Sequence, residues 1–242
     1  VEKMNRFIVF LFCLVFVSFG LSISQCYATT YTGSLQYNPS SVDSSDGLNV
    51  QSSGENWPTY TVNISWSVTN EDTTYSSYPW KYTYTFGLSG NQSGLSHLIL
   101  ETSSNFTASD ITGLTGASVG STSGIGSQRV QSGNTGMPED VYGIRFDPLT
   151  TSPSSITVTF WSTRAPVWGD FYAKDGRTNY AYNYNNTNGV EKGFTTSDVD
   201  PTAAPSNDSV DYHILRPDTV PEPAAIGLIL LGSWLLSKKR RA

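Results

Sequence analysis

Cysteine is almost absent from this chain. Of 242 residues only Cys13 and Cys26 are cysteines, and both lie in the first 26. Neither a disulfide framework nor a thiolate zinc centre can therefore be built from the body of the sequence. Stability has to come from a packed core, and the 192 residues from Thr29 to Val220 are enough for one. Histidine is nearly as rare, with only His97 and His213. Basic residues are scarce in the same span: eight Lys or Arg face eighteen Asp or Glu, a net charge of −10. Such a charge repels nucleic acid and anionic membrane surfaces, and no basic patch offsets it. No interior window carries a sustained helical period with caps. There is no internal repeat.

Alternation is what the sequence does have. From Tyr60 to Val68 the apolar set Tyr60, Val62, Ile64, Trp66, Val68 alternates with Thr61, Asn63, Ser65, Ser67. A period of two puts one set on a dry sheet face and the other in water. Trp80 to Leu88 repeats it, and Ile156, Val158 and Phe160 do so between threonines. Weaker strands are predicted at Tyr31–Tyr37, Leu95–Glu101, Val141–Asp147, Val167–Lys174 and Tyr212–Arg216. One-sided strands bounded by Gly, Asn, Ser and Pro predict an all-β fold, an antiparallel β-sandwich of jelly-roll type, over residues 29–216. Two stretches break the pattern. Thr112 to Ser127 is Gly, Ser or Thr at twelve of sixteen positions and predicts a long surface loop. Residues 195–211 hold four aspartates and two prolines and predict an acidic loop or spacer.

Chemistry is harder to find. Gly116-Ala-Ser118-Val-Gly120 matches the nucleophile-elbow pattern of hydrolases, but neither the preceding strand nor the following helix which that motif requires is legible. His97 and His213 read as strand residues with satisfied hydrogen bonds. Asp43–Gly47 and Lys174-Asp175-Gly176 lack the alternating ligands of a calcium loop, so Asp-Gly reads as a turn. No metal site and no cofactor are predicted. The five Asn-x-Ser/Thr matches, at Asn63, Asn91, Asn105, Asn185 and Asn207, are what a Ser/Thr-rich chain produces by chance. The densest polar–aromatic stretch runs from Arg164 to Gly176. It gathers Trp168, Phe171 and Tyr172 with Arg164, Asp170 and Lys174, near Trp161. Rings edged by polar groups suit a sugar-binding surface, with Trp168 and Tyr172 as stacking platforms and Asp170 beside them. The same rings are also the most effective fillers of a cysteine-free core.

The two ends carry targeting signals. Lys3 and Arg6 precede the apolar run Phe7–Phe19 and the small-x-small triplet Cys26-Tyr27-Ala28. This order predicts a signal peptide over residues 1–28, cut by signal peptidase between Ala28 and Thr29. Gln25 stands where a lipid-attachment signal has a small residue, which favours that cut over acylation of Cys26. Residues 217–242 hold Val220-Pro221-Glu222-Pro223, an apolar run over 224–237, and Lys238, Lys239, Arg240 and Arg241. As a helix the run spans about 21 Å, short for a hydrocarbon core of about 30 Å. The bases act as a stop-transfer cluster that stays in the cytoplasm.

Motif, helix and bases in this order resemble the PEP-CTERM sorting signal. The resemblance covers the last 23 residues. It implies recognition by an exosortase, a membrane-embedded cysteine transpeptidase that cuts near Pro-Glu-Pro. It also implies a Gram-negative host that makes exopolysaccharide. Leu95–Leu100, Met137–Asp147 and Pro166–Gly176 resemble phrases of a β-rich domain in such proteins, a domain for which the resemblance implies no activity. The expectation is an exported, non-enzymatic surface or matrix protein, first anchored in the inner membrane by its tail. Surface glycans or exopolysaccharide are the expected partners. A carbohydrate-binding module is the alternative, and a secreted hydrolase the third reading.

Overall fold

A computed structural model describes residues 28–40, 47–53, 57–90, 94–120, 124–151 and 153–218. The leader and the tail, with the sorting motif, the apolar run and the basic cluster, lie outside the described residues, as do Asp43 to Asp46 and Asn91. Among the described residues, fifteen strands follow in chain order. They are β1 (Thr30–Tyr37), β2 (Leu48–Gln51), β3 (Val62–Thr69), β4 (Trp80–Leu88), β5 (Leu95–Glu101), β6 (Ile111–Thr115), β7 (Ala117–Val119) and β8 (Ile125–Gln128). After these come β9 (Val141–Pro148), β10 (Ser155–Ser162), β11 (Pro166–Gly169), β12 (Phe171–Asp175), β13 (Tyr180–Thr187), β14 (Val190–Gly193) and β15 (Ile214–Pro217). The only helices described are single 3-10 turns at Trp57–Thr59, Ala108–Asp110 and Val130–Ser132. None of them is long and apolar enough to cross a membrane.

The fold is all-β, and every ladder between named strands is antiparallel. One sheet has the order β1-β3-β4-β10-β6. A second has β14-β13-β12-β5-β9-β7, with β2 added at β13 and β8 at β9; β11 and β15 form a two-stranded ribbon. Alternation explains the first sheet. Val62, Ile64, Trp66 and Val68 of β3 are buried, while Asn63, Ser65, Ser67 and Thr69 face outward. The outer face is held by hydroxyl pairs between β4 and β10, Thr83–Thr159 at 3.2 Å and Thr85–Thr157 at 3.0 Å. The two sheets share one apolar core, joined by rings from both sides. Phe160 of β10 lies 5.4 Å from Tyr82 of β4 and 5.5 Å from Phe146 of β9.

The second sheet is covered on its far face as well. There Ile99, Met137, Tyr172 and Phe194 form a smaller cluster, with Tyr180 and Tyr182 packed against it. Every residue of β12 is consequently buried.

Two expectations need correction. Thr112 to Ser127 is not one long loop: it contributes to β6, β7 and β8. Glycine makes this possible, since Gly113, Gly116 and Gly126 adopt φ of +64°, +81° and +151° between or within short strands. Val167–Lys174 is two strands, β11 and β12, interrupted at Asp170. Residues 195–211 contain no named strand and pack against β1. Asp208 N–H donates to Thr32 O at 2.8 Å, and Asn207 Oδ1 accepts from Thr32 N–H at 3.0 Å. The loop thereby occupies part of the free edge of β1.

Candidate functional site

The interruption at Asp170 is where the polar chemistry collects. Gly169 ends β11 and Phe171 begins β12, so the chain passes from the ribbon to the second sheet through Asp170. A Cβ on Gly169 would stand 1.7 Å from Arg216 Nε. Only glycine lets the guanidinium of Arg216 cross β11 here. Arg216, on β15, is 4% exposed. Its Nη1 donates to Asp218 Oδ2 and its Nη2 to Asp200 Oδ2, both at 2.7 Å. Its Nε lies 3.3 Å from Glu101 Oε2, an ion pair without hydrogen-bond alignment. Glu101 Oε2 accepts instead from the backbone N–H of Asp170 at 3.0 Å.

His213 completes the cluster. It follows a tight turn in which Asp211 and Tyr212 have φ of 48° and 64°, and His213 N–H donates to Val210 O at 2.9 Å. Two consecutive left-handed residues mark a type I′ turn, which normally takes Asn or Gly. A tyrosine in that conformation is strained. The turn presses the ring inward until His213 is 1% exposed. Its Nδ1 stands 3.3 Å from Val210 O, a contact in which Nδ1–H donates. Nε2 then faces Asp170 Oδ1 at 3.5 Å and Asp200 Oδ1 at 3.6 Å. Asp170 Oδ1 also accepts from Asn183 Nδ2 at 2.7 Å, while Asn183 Oδ1 takes the N–H of Phe171 at 2.9 Å.

The balance of charge is unusual for so enclosed a place. Four carboxylates, Glu101, Asp170, Asp200 and Asp218, surround one permanent cation, Arg216. Burial, reinforced by Glu101 and Asp200, pushes the Asp170 carboxyl well above the usual carboxylate range. Burial likewise pushes Glu101 up to about 7, although Arg216 opposes it. Burial pulls His213 below the ordinary imidazole value against the pull of Asp200 and Asp198. Arg216 is held above its ordinary value by Glu101, Asp200 and Asp218, which outweigh its own desolvation. Asp170, Asp200 and His213 each offer one ligand atom, and these lie within 4.8 Å of one another.

The residues singled out from sequence fare differently. Trp168 and Tyr172 are both 0% exposed, Trp168 in the shared core and Tyr172 in the smaller cluster on the sheet's far face. Neither ring offers a face to solvent, so the stacking-platform reading of this pair is corrected to core packing. Tyr172 is buried because β12 is covered on both sides, and Trp168, on β11, is packed into the shared core. Asp170 is likewise buried and belongs to the cluster above. Its former companions are elsewhere. Arg164 forms a two-point pair with Asp110 at 2.8 and 3.1 Å, and Lys174 Nζ donates to Arg177 O and Asp175 O.

Asp175 makes a turn, accepting from the N–H groups of Arg177 and Asn179. Ser118 stands on β7, the next element among the described residues being β8, and its hydroxyl lies 3.5 Å from Asp147 O. His97 matches its reading as a satisfied strand residue: Nε2 pairs with Asn134 Oδ1 at 3.0 Å. His213 lies one residue before β15, with Nδ1 3.3 Å from Val210 O and Nε2 facing Asp170 and Asp200. Sequence reasoning missed Asp200, Arg216, Glu101 and Asn183 because no local spacing links them. Ala28 and Thr29 stand immediately before β1, with Thr29 N–H donating to Asn70 Oδ1 at 2.7 Å. No protein-family profile, no curated protein and no solved structure matches the chain.

Proposed function

We propose that this is an exported surface or extracellular-matrix protein with a structural or adhesive role, released from an inner-membrane anchor by exosortase cleavage at Pro221-Glu222-Pro223. The observation that carries the reading is the ordered tail: Val220–Pro223, the apolar run over 224–237, then Lys238 to Arg241. The limits of the fold fit it. β1 starts at Thr30, two residues after Ala28, and β15 ends at Pro217, three residues before Val220. Both cuts would spare every described strand. Signal peptidase and exosortase are then the processing partners, and a Gram-negative envelope or its exopolysaccharide the destination.

We read the sandwich as jelly-roll-like. β4 pairs with β10 in one sheet while their chain neighbours β5 and β9 pair in the other. That is a long hairpin bent over a core. Fractionation of cells tests the function. The wild-type chain should reach surface or matrix fractions, and a chain with Pro221, Glu222 and Pro223 all changed to Ala should stay in the inner membrane. Equal distribution of the two would overturn the reading.

Glycan binding stays as a second reading on different residues. Tyr180, Tyr182 and Tyr184 form a half-exposed row on β13, with successive ring centroids 6.3 and 6.0 Å apart. A glycan array with a Tyr182→Ala control decides it.

A further inference from the structure

We propose that Asp170, Asp200 and His213 form a site for one divalent transition ion of the zinc type, which ties the last strand and the 195–211 loop to the second sheet. The proposal goes beyond the export reading and stands or falls separately from it. Its first support is the direction of the histidine. Nδ1 is engaged by the Val210 carbonyl, and Nε2, in a ring almost wholly buried, is directed into the cluster. It faces two carboxylate oxygens, 3.5 and 3.6 Å away. An imidazole nitrogen set against two carboxylate oxygens is an arrangement that a metal ion between them would hold together. A tetrahedral ion with bonds of about 2.0–2.2 Å holds neighbouring ligand atoms about 3.3–3.5 Å apart. The two observed separations need shifts of only a few tenths of an ångström, by the same bond lengths. The third side of the triangle is at most 4.8 Å, and Asp200 sits on a loop with its carboxylate 31% exposed.

Each ligand also has an outer partner that orients it. Val210 O holds His213, Asn183 Nδ2 holds Asp170, and Arg216 Nη2 holds Asp200 through its other oxygen. Metal ligands are commonly fixed in this way, by a second hydrogen bond that sets tautomer and direction. The strained turn at Asp211-Tyr212 is a further mark, since such backbone persists where surrounding structure over-determines it. The ligand set selects the ion. Calcium and magnesium prefer all-oxygen shells, whereas an imidazole nitrogen with two carboxylates suits zinc or its first-row neighbours. The exposed side of Asp200 leaves a water as the fourth ligand. Chain segments at 170, 200 and 213 would be joined through one ion, which makes its role structural.

The test uses the full-length chain, stripped of metal by a chelator and titrated calorimetrically with zinc, manganese and calcium chlorides. One zinc equivalent should bind, and zinc at a hundred times its Kd should raise Tm by about 5 °C or more. Calcium should bind at least tenfold more weakly. Asp200→Asn, which keeps an oxygen for Arg216, should weaken zinc binding at least tenfold. His213→Gln should abolish it, together with the visible bands of Co2+ bound in its place. Should His213→Gln fail to fold by circular dichroism, Asp200→Asn decides alone. Absence of stoichiometric zinc binding would overturn the proposal. So would zinc affinity unchanged by the folded variants, or calcium binding as tight as zinc.

Discussion

Replacing Arg216 by methionine removes the one permanent cation from a site with four carboxylates. Methionine keeps most of the apolar stem that packs along β11, so the change falls on charge. Two hydrogen bonds of 2.7 Å to carboxylates are lost, each worth about 1.5–3 kcal/mol when charge-assisted and shielded. Glu101 loses its ion pair at 3.3 Å. Breaking a buried pair from one side costs about 3–5 kcal/mol, because the remaining charge stays buried. Asp200 is 31% exposed and water can recover part of its loss, so we take the lower end, about 3 kcal/mol. In a domain whose whole stability is about 5–15 kcal/mol, that is a large fraction. Urea titration at pH 7, followed by the fluorescence of the buried Trp57, Trp66 and Trp168, reads it directly. With a slope of about 2–3 kcal/mol/M the midpoint should fall by about 1–1.5 M. Arg145→Met is the comparison, since the Arg145–Asp147 pair is only partly buried and should matter by less than about 1 kcal/mol. A shift for Arg216→Met no larger than that of Arg145→Met would refute the claim that the cluster is enclosed and holds β15 in place.

The remaining predictions concern backbone and protonation. Gly116→Ala puts a methyl 1.7 Å from Thr157 O at a φ of +81°, and should destabilise the fold by about 2 kcal/mol or more, read by the same titration. Gly169→Ala should do likewise by pushing its methyl onto Arg216 Nε. Burial, aided by Arg145 and Lys174, holds His97 down at about 3 against a usual 6.5, with Asn134 opposing. The unfolded chain therefore takes up a proton that the folded chain refuses. The stability due to neutral His97 is complete above about pH 6.5 and falls by about 1.4 kcal/mol per pH unit towards pH 3. Denaturant titrations at pH 6, 5 and 4 should show that slope in the wild type and a shallower one in His97→Gln; equal slopes would contradict it.

The long strands whose inward residues are apolar were legible, whereas the four-residue β2, though it buries Leu48 and Val50, and β13, whose inward residues are not apolar, were missed. Trp80–Leu88 was readable to the residue, because Tyr82, Tyr84 and Phe86 alternate with Lys81, Thr83 and Thr85 and are buried in the core. β13 inverts the rule. It buries Ala181, Asn183 and Asn185 and leaves its tyrosines half-exposed, so its period of two carries the wrong polarity. Asn183 is turned inward because it serves Asp170 and the N–H of Phe171, a reason that no window of sequence contains. The same holds for the candidate site. Glu101, Asp170, Asp200, His213 and Arg216 come from four places along the chain, and only the fold joins them. The Gly/Ser/Thr stretch after Ile111 read as a loop because composition records flexibility and not pairing. Its glycines are there to turn the backbone between strands as short as three residues.

Intact-mass measurement of the protein recovered from the surface or matrix of its own cells tests export and processing most directly. A chain that starts at Thr29 and ends within a few residues of Pro221-Glu222-Pro223, with all strands from Thr30 to Pro217 retained, is the predicted result. A mass that extends through Ala242 in every fraction would contradict the account.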